Sequence, residues 1–237
     1  MSLLNERYDK VICISLRERE DKFKFMQARF DKFGIKSEFY RPVIPGYATP
    51  LLEPYIDKYK TIENRFNPQF PNELGAMESH YHVIKTAYLE GVENLFVFED
   101  DCAFHKDWNT LLPKYLDSIP AGTDAILLYS YMSALGPENV RLKPRWTKGF
   151  ASWSHVAYGY NRNTMNAYIK LIDSQPMIGD RASLMLMTHM GFNYIVASPP
   201  LVLPSKELKS SIRGDNKNYE NFTKSIFVLG INEQDYE

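Results

Sequence analysis

Apolar blocks alternate with amphipathic stretches along this chain, and the two patterns predict strands and helices in turn. The largely apolar runs 11–16, 95–98, 125–130 and 192–197 have the length and side-chain content of strands buried on both faces of a sheet. Between these runs, apolar residues recur at spacings of three and four, which is typical of helices with one face on a core. The order of the elements predicts an α/β protein.

The helical spacing is clearest after the first strand, where Phe23, Met26, Phe30 and Phe33 fall on one face and Gly34 suits a C-terminal cap. With a short strand at 37–44, this helix makes a first βαβ unit. Further helices are predicted for the stretch capped by Asn72 and running to Tyr88, for 107–119, for 163–175, and for 182–189 after Asp180 and before Gly191.

Three stretches lack a clear periodicity. The segment 45–71 holds five prolines and is predicted to be an irregular, functional loop. The segment 132–147 is basic, and solubility alone would explain its charge. The polar region 205–220 is predicted to be a flexible loop, either folding over a bound diphosphate or simply lying at the surface. We treat residues 1–237 as one domain.

Composition narrows the class of protein. The 237 residues are 44% hydrophobic and 24% charged with a net charge of -1, which gives no reason to expect a nucleic-acid partner. No apolar run approaches the roughly 20 residues of a membrane span, so a cytoplasmic location is expected. Cys13 and Cys102 adjoin predicted strands and are expected to be small apolar packing residues. The glycine-rich dinucleotide fingerprint is absent after the first strand.

Three adjacent carboxylates, Glu99, Asp100 and Asp101, close the predicted strand at 95–98. In open α/β sheets, ligands lie at the carboxyl ends of the strands. Neighbouring acids repel one another, and a chain accommodates them either by exposing them to solvent in a turn or by binding a hard divalent cation. If the strand pattern continues through the acids, Glu99 and Asp101 face a cleft and Asp100 faces away.

Four stretches together resemble glycosyltransferase family 25, which includes lipooligosaccharide galactosyltransferases. They are Ile14-Ser15-Leu16-Arg17-Glu18-Arg19, Glu73-Leu74-Gly75-Ala76-Met77-Glu78-Ser79-His80, Glu99-Asp100-Asp101, and the helix-opening Asp180 after 153–160. The chain departs from the family pattern at Met77, where cysteine is common, and at Lys22, where arginine is usual. The resemblance implies a GT-A-type fold, a Rossmann-like mixed sheet flanked by helices, and sugar transfer from a nucleotide donor with inversion.

The resemblance also implies roles for individual residues. Asp101 and Glu99 would bind Mn²⁺ or Mg²⁺, with Glu99 on the ribose or the metal's water shell as the other reading. Asp180 is the candidate base, although an aspartate before a helix is often only an N-cap, and His155 is the alternative base or metal ligand. The residues expected to bind the donor are Leu16, Arg17, Ser79, His80, Glu99 and Asp100.

The implied substrates are a UDP-sugar, with galactose as the sugar, and a hydroxyl of a surface glycan such as lipopolysaccharide. A lipid-linked acceptor would bring the protein to the inner face of the membrane. Two other classes remain open from the sequence: a glycan- or nucleotide-binding module without turnover, and a metal-dependent phosphoryl-transfer enzyme. The absence of a phosphate-binding glycine loop argues against the latter.

Overall fold

A computed structural model of the chain describes residues 2–42, 71–130, 145–148, 154–175, 177, 179–205, 207–208 and 232–237. The helices are α1 (Leu3–Arg7), α2 (Glu20–Phe33), α3 (Pro71–Leu89), α4 (Trp108–Asp117), α5 (Arg162–Ser174) and α6 (Gly179–Thr188), with a short 3-10 helix at Glu233–Asp235. The strands are β1 (Lys10–Ile14), β2 (Glu38–Tyr40), β3 (Asn94–Glu99), β4 (Cys102–Phe104), β5 (Ala125–Leu127), β6 (Arg145–Lys148), β7 (Ala157–Asn161), β8 (Tyr194–Ser198) and β9 (Val202–Pro204).

Seven strands form a mixed sheet in the order β2-β1-β3-β7-β5-β8-β6. β1 is parallel to β2 and β3, and β5 is parallel to β8, whereas β7 and β6 run antiparallel to their neighbours. As a result β1, β2, β3, β5 and β8 all point the same way, and their carboxyl ends meet at one edge. The expected α/β class, a mixed sheet flanked by helices, is confirmed.

Each face of the sheet carries its own hydrophobic core. β3 shows this division by alternation, since Phe96 and Phe98 pack on one face and Leu95 and Val97 on the other. The first core includes residues of α1, α2 and α4, and the second includes residues of α3, α5 and α6. Burial on both faces explains why β3 is apolar from Leu95 to Phe98, between the polar residues Asn94 and Glu99 at its two ends.

Most predicted elements are present, with shifts at their ends. Gly34 caps α2 in the left-handed conformation, at a φ of 67°. α3 begins at Pro71, so Asn72 lies inside the helix and is not its cap. The segment 45–70, most of 132–147 and all but a few residues of 205–220 lie outside the described residues.

Five of the described elements were not predicted: α1, the strand β6 at the end of the supposedly irregular 132–147, the short 3-10 helix at Glu233–Asp235, and β4 with β9, which form a separate two-stranded sheet. β6 is an edge strand that pairs only with β8 in the described sheet. β8 therefore lies inside the sheet, between β5 and β6.

Cys13 and Cys102 are both free and fully buried, which confirms them as packing residues. Among the helices that the structure describes, none combines the length and the apolarity that crossing a membrane requires.

Candidate active site

The carboxyl ends of β1 and β3 form the centre of the candidate site. The two strands are parallel neighbours, and Ile14 lies opposite Glu99 in their register. The chain leaves β1 towards α2 and β2 on one side, while β3 extends the sheet on the other, and at such a point in the strand order α/β sheets bind their ligands in a crevice outside the strand ends. Leu16 is half-buried and Arg17 exposed at its mouth. Their carbonyls accept hydrogen bonds from Arg41, at 3.5 and 3.0 Å.

The three acids at the end of β3 divide between the two faces of the sheet. Glu99 Oε1 lies 3.2 Å from His80 Nε2, on the face covered by α3. Asp100 Oδ1 and Asp101 Oδ2 both accept hydrogen bonds from the Lys22 ammonium of α2, at 2.9 and 3.0 Å. The expected alternation fails after Glu99 because β3 ends there and the next two residues form a turn.

Lys22 and Asp100 form a buried ion pair beneath this turn. Burial works to lower the pKa of Lys22, but the charges of Asp101 and Asp100 outweigh it and raise the pKa above its ordinary value. Burial also raises the pKa of Asp100, against the opposing effect of the ammonium. Asp100 is therefore fixed below the crevice, and the side chains of Glu99 and Asp101, 32% and 20% exposed, are the ones that reach solvent.

His80 connects Glu99 to β7. Since a carboxylate only accepts hydrogen bonds, the contact with Glu99 assigns the proton of the neutral ring to Nε2, and Nδ1 then accepts from the Tyr158 hydroxyl at 2.9 Å. Its neighbour Ser79 is buried, and its hydroxyl donates to the carbonyl of Gly75 within the same helix, at 2.7 Å. His80 thus orients Glu99, while Ser79 is occupied within α3.

A second polar group lies behind His80. His155 Nε2 lies 2.6 Å from Ser183 Oγ and 3.0 Å from the Tyr160 hydroxyl, and the ring stacks on Tyr158 with centroids 4.5 Å apart. The two imidazole rings are 4.9 Å apart. His155 is only 3% exposed, and burial together with the neighbouring His80 lowers its pKa well below the ordinary value. It is a neutral, buried ring.

Asp180 is the second residue of α6 and is half-buried. It is therefore not an N-cap, the alternative that its place before a predicted helix had suggested. Ser183, which contacts His155, lies three residues further along the same helix. A series of contacts through Ser183, His155 and His80 therefore connects α6, the helix that carries Asp180, to Glu99.

The residues at this corner would hold a divalent cation only together with a donor. Among the described residues, no group of three or more potential metal ligands comes together. Mg²⁺, however, is commonly held by one or two carboxylates, with substrate phosphates and water completing its shell. Glu99 and Asp101 supply such a pair. Asp101 Oδ2 is engaged by Lys22, and Oδ1 has no hydrogen-bond partner among the residues that the structure describes.

Sequence reasoning missed the roles of Lys22, Tyr158, Ser183 and Gly179. For Lys22 two signals were available, a cation in the first turn of a helix, where it opposes the helix dipole, and a position at which the family usually has another basic residue, arginine. Tyr158 and Ser183 are indistinguishable from core residues in the sequence. Gly179 is explained only by the approach of His155, since a Cβ built on this glycine would lie 2.2 Å from Nδ1.

A sequence model described as Glycosyltransferase family 25 (LPS biosynthesis protein) matches residues 8–144, more than half of the chain and all of the acidic corner. The chain belongs to glycosyltransferase family 25. It is therefore a glycosyltransferase, and a nucleotide-sugar donor and an acceptor are its implied substrates.

Similar solved structures include a glycosyltransferase involved in the glycosylation of the major capsid of PBCV-1, at 10% identity, with a TM-score of 0.43 and coverage of 80% of this chain and 82% of that one. Another is mannose-1-phosphate geranyltransferase from Thermus thermophilus, at 11% identity, with a TM-score of 0.37 and coverage of 79% and 72%. Among curated protein sequences, none matches this chain.

Proposed function

We propose that this glycosyltransferase moves galactose from UDP-galactose to a hydroxyl of a surface glycan such as lipopolysaccharide, with inversion at the anomeric carbon and with a divalent cation. The observation that supports the proposal most directly is the position of Glu99 and Asp101. Both reach solvent at the carboxyl end of β3, beside the end of β1, where α/β sheets bind their ligands. The matched family is described as one of LPS biosynthesis, which favours this acceptor class.

Asp101 and Glu99 would hold Mn²⁺ or Mg²⁺, which when bound would stabilise the negative charge that grows on the departing diphosphate. Asp100 would support the same corner from the core side, because its carboxylate accepts a hydrogen bond from the Lys22 ammonium. His80 holds Glu99 by its Nε2–H, and Ser79 keeps this turn of α3 in place. Leu16 and Arg17, at the mouth of the crevice, would contact the nucleotide.

Inversion in a single displacement requires a base for the acceptor hydroxyl. We assign this role to Asp180, whose carboxylate would take the hydroxyl proton. The acceptor oxygen then forms its bond to the anomeric carbon while the bond from that carbon to the diphosphate oxygen breaks, and the electron pair leaves with the diphosphate. His155 is too deeply buried to meet an acceptor, and its two hydrogen-bond partners occupy Nε2.

The cytoplasm supplies nucleotide donors in this scheme, and a lipid-linked acceptor would bring the protein to the inner face of the membrane.

Calorimetric titration of UDP with and without Mn²⁺ tests the donor site. We expect Mn²⁺ to raise the affinity for UDP. This increase in affinity should be lost after chelation of the metal and in Asp101→Ala. The control is Asp117→Ala, which removes an exposed carboxylate at the end of α4 and should change neither value. A titration in which UDP shows no Mn²⁺-dependent affinity for the wild-type protein would contradict the proposal.

The sugar is tested separately, by measuring donor consumption for UDP-galactose against UDP-glucose and other nucleotide sugars in the presence of a glycan acceptor. Preferred consumption of UDP-galactose is expected. Preference for another sugar would leave the site assignment intact and replace only the donor.

A further inference from the structure

Lys22 is the only lysine or arginine that is buried within the described ranges of the chain. Its side chain is 1% exposed, and its ammonium contacts two carboxylates that are adjacent in sequence, Asp100 Oδ1 at 2.9 Å and Asp101 Oδ2 at 3.0 Å. One of these carboxylates is buried, and the other reaches the crevice. A single side chain therefore connects the core beneath the corner to the proposed donor site.

The stability of the fold does not explain this arrangement. Lys22 is the third residue of α2, where a positive charge opposes the helix dipole. Removing an ammonium and a carboxylate from water is costly, and a buried ion pair on average stabilises a protein no better than apolar side chains of the same volume. Lys22 and Asp100 could therefore be replaced by an apolar pair without loss of the core, and the contact with Asp101 is what such a pair would not provide.

The contact with Asp101 fixes the direction of its carboxylate. Oδ2 is held by a charge-assisted hydrogen bond from a side chain that is itself immobilised by burial, and such bonds are about twice as strong as those between neutral groups. With Oδ2 held, Oδ1 is left for the donor's cation. Loss of a group that orients a metal ligand in this way typically lowers metal affinity by about tenfold to a hundredfold.

We propose that Lys22 is a positioning residue of the donor site, which holds the Asp101 carboxylate in the orientation that receives the cation and the diphosphate. The inference rests on the proposed function and deepens it. It means that one side chain of α2 sets the orientation of Asp101, which lies 79 positions later in the chain.

The test separates the orientation of the Asp101 carboxylate from the stability of the protein and from the net charge of the corner. Lys22→Met alone leaves the buried Asp100 carboxyl without its partner, so it lowers the unfolding temperature and cannot decide the question. Lys22→Met with Asp100→Asn removes one positive and one negative charge together, which keeps the net charge of the corner and leaves no buried ion. Asp100→Asn alone retains the contact between Lys22 and Asp101.

Two measurements are made on each variant, the thermal midpoint and the UDP affinity in saturating Mn²⁺. The double variant is expected to unfold near the wild-type temperature and yet bind UDP about tenfold to a hundredfold more weakly. Asp100→Asn alone measures what the loss of this carboxylate costs, and the double variant should bind UDP at least about tenfold more weakly than Asp100→Asn does. Lys22→Arg, whose guanidinium can reach two carboxylates, should bind UDP within about threefold of wild type. Lys24→Met, which removes an exposed lysine from the same part of α2, is the matched control and should change neither value.

Wild-type UDP affinity in the double variant, with a normal thermal midpoint, would overturn the role of Lys22 and leave the proposed function standing. Absence of UDP binding in the wild-type protein with Mn²⁺ would overturn both. If the double variant does not fold, Lys22→Met with Asp100→Leu fills the same volume with apolar side chains, and its UDP affinity decides in the same way.

Discussion

His155 lies directly against Gly179, the first residue of α6. A Cβ added to this glycine would be 2.2 Å from His155 Nδ1 and 2.9 Å from Cε1, distances that real Cβ atoms do not show. The absence of a side chain at 179 thus lets the beginning of α6 approach the buried imidazole, and Asp180 follows immediately. The position of the candidate base is therefore linked to the packing of a buried ring.

Gly179→Ala is expected to push α6 away from His155. The clash should cost about 1–3 kcal/mol in the free energy of unfolding, as overpacked cores do. Displacement of Asp180 should also lower kcat by about tenfold or more, because small misplacements of reacting groups are costly. Chemical denaturation and initial rates measure the two effects.

Gly34→Ala is the control for this variant. A Cβ at Gly34 would meet nothing within 4 Å, and only the positive φ of 67° disfavours it, at about 1 kcal/mol. This control should lose stability and keep its kcat. Unchanged kcat in Gly179→Ala would separate Asp180 from the packing of His155.

Tyr158→Phe removes the hydroxyl that donates to His80 Nδ1. Without it, nothing in this contact favours the ring tautomer that donates Nε2–H to Glu99, so kcat/KM should fall by about tenfold, equivalent to about 1.4 kcal/mol. Tyr115→Phe is the control, since this buried hydroxyl donates to the carbonyl of Pro199, away from the acids. Adding His80→Asn to Tyr158→Phe should cost little more than His80→Asn alone, and full additivity would contradict the shared role.

Asp180→Asn is expected to lower kcat by roughly 10²- to 10⁴-fold, the usual contribution of a general base, while UDP affinity with Mn²⁺ stays unchanged. Asp173→Asn removes an exposed carboxylate from α5 and should leave both values as they are. The measurement is a rate at saturating donor together with a binding titration. A kcat within about twofold of wild type would assign Asp180 a structural role at the beginning of α6.

In mild acid, His155 should contribute a loss of stability, opposite in sign to the contribution of Asp100, whose raised pKa lets the folded protein take up a proton before the unfolded chain does. The pKa of His155 in the folded state lies below the ordinary value of 6.5, so below that pH the unfolded chain takes up the proton first. The contribution of His155 to the free energy of unfolding is present in full above about pH 6.5. It is lost as the pH falls, at about 1.4 kcal/mol per pH unit.

His155→Gln should remove this slope from the free energy of unfolding between about pH 6 and 5, whatever its effect on absolute stability. The exposed His189→Gln is the control and should retain the wild-type slope. Equal slopes in all three proteins would show that His155 does not titrate between the folded and unfolded states.

The acidic corner was predictable because β3 is apolar over 95–98 and then ends in charge. What the sequence could not show is that Asp100 and Asp101 both turn towards Lys22. Strand alternation holds only while the strand lasts, and β3 ends at Glu99. The partner of the two acids lies 78 and 79 positions earlier in the chain, a separation that no local pattern reports.

The same reasoning explains the other misses. β6 is an edge strand of four residues, Arg-Trp-Thr-Lys, in which the core-facing pattern is too short to stand out from the basic residues around it. Tyr158, Ser183 and His155 are distributed over two elements and a connection, and only tertiary packing brings their polar atoms together. Helices with long apolar stripes, such as α2 and α5, were found because their periodicity is local.

The division of the acids at the end of β3 has one more consequence. The Glu99 side chain is held by His80 of α3 and the Asp101 side chain by Lys22 of α2, and these two helices lie on opposite faces of the sheet. The spacing of the two carboxylates is thus set across the full thickness of the protein, so a substitution deep in either core that shifts one helix against the sheet could alter donor affinity from a distance.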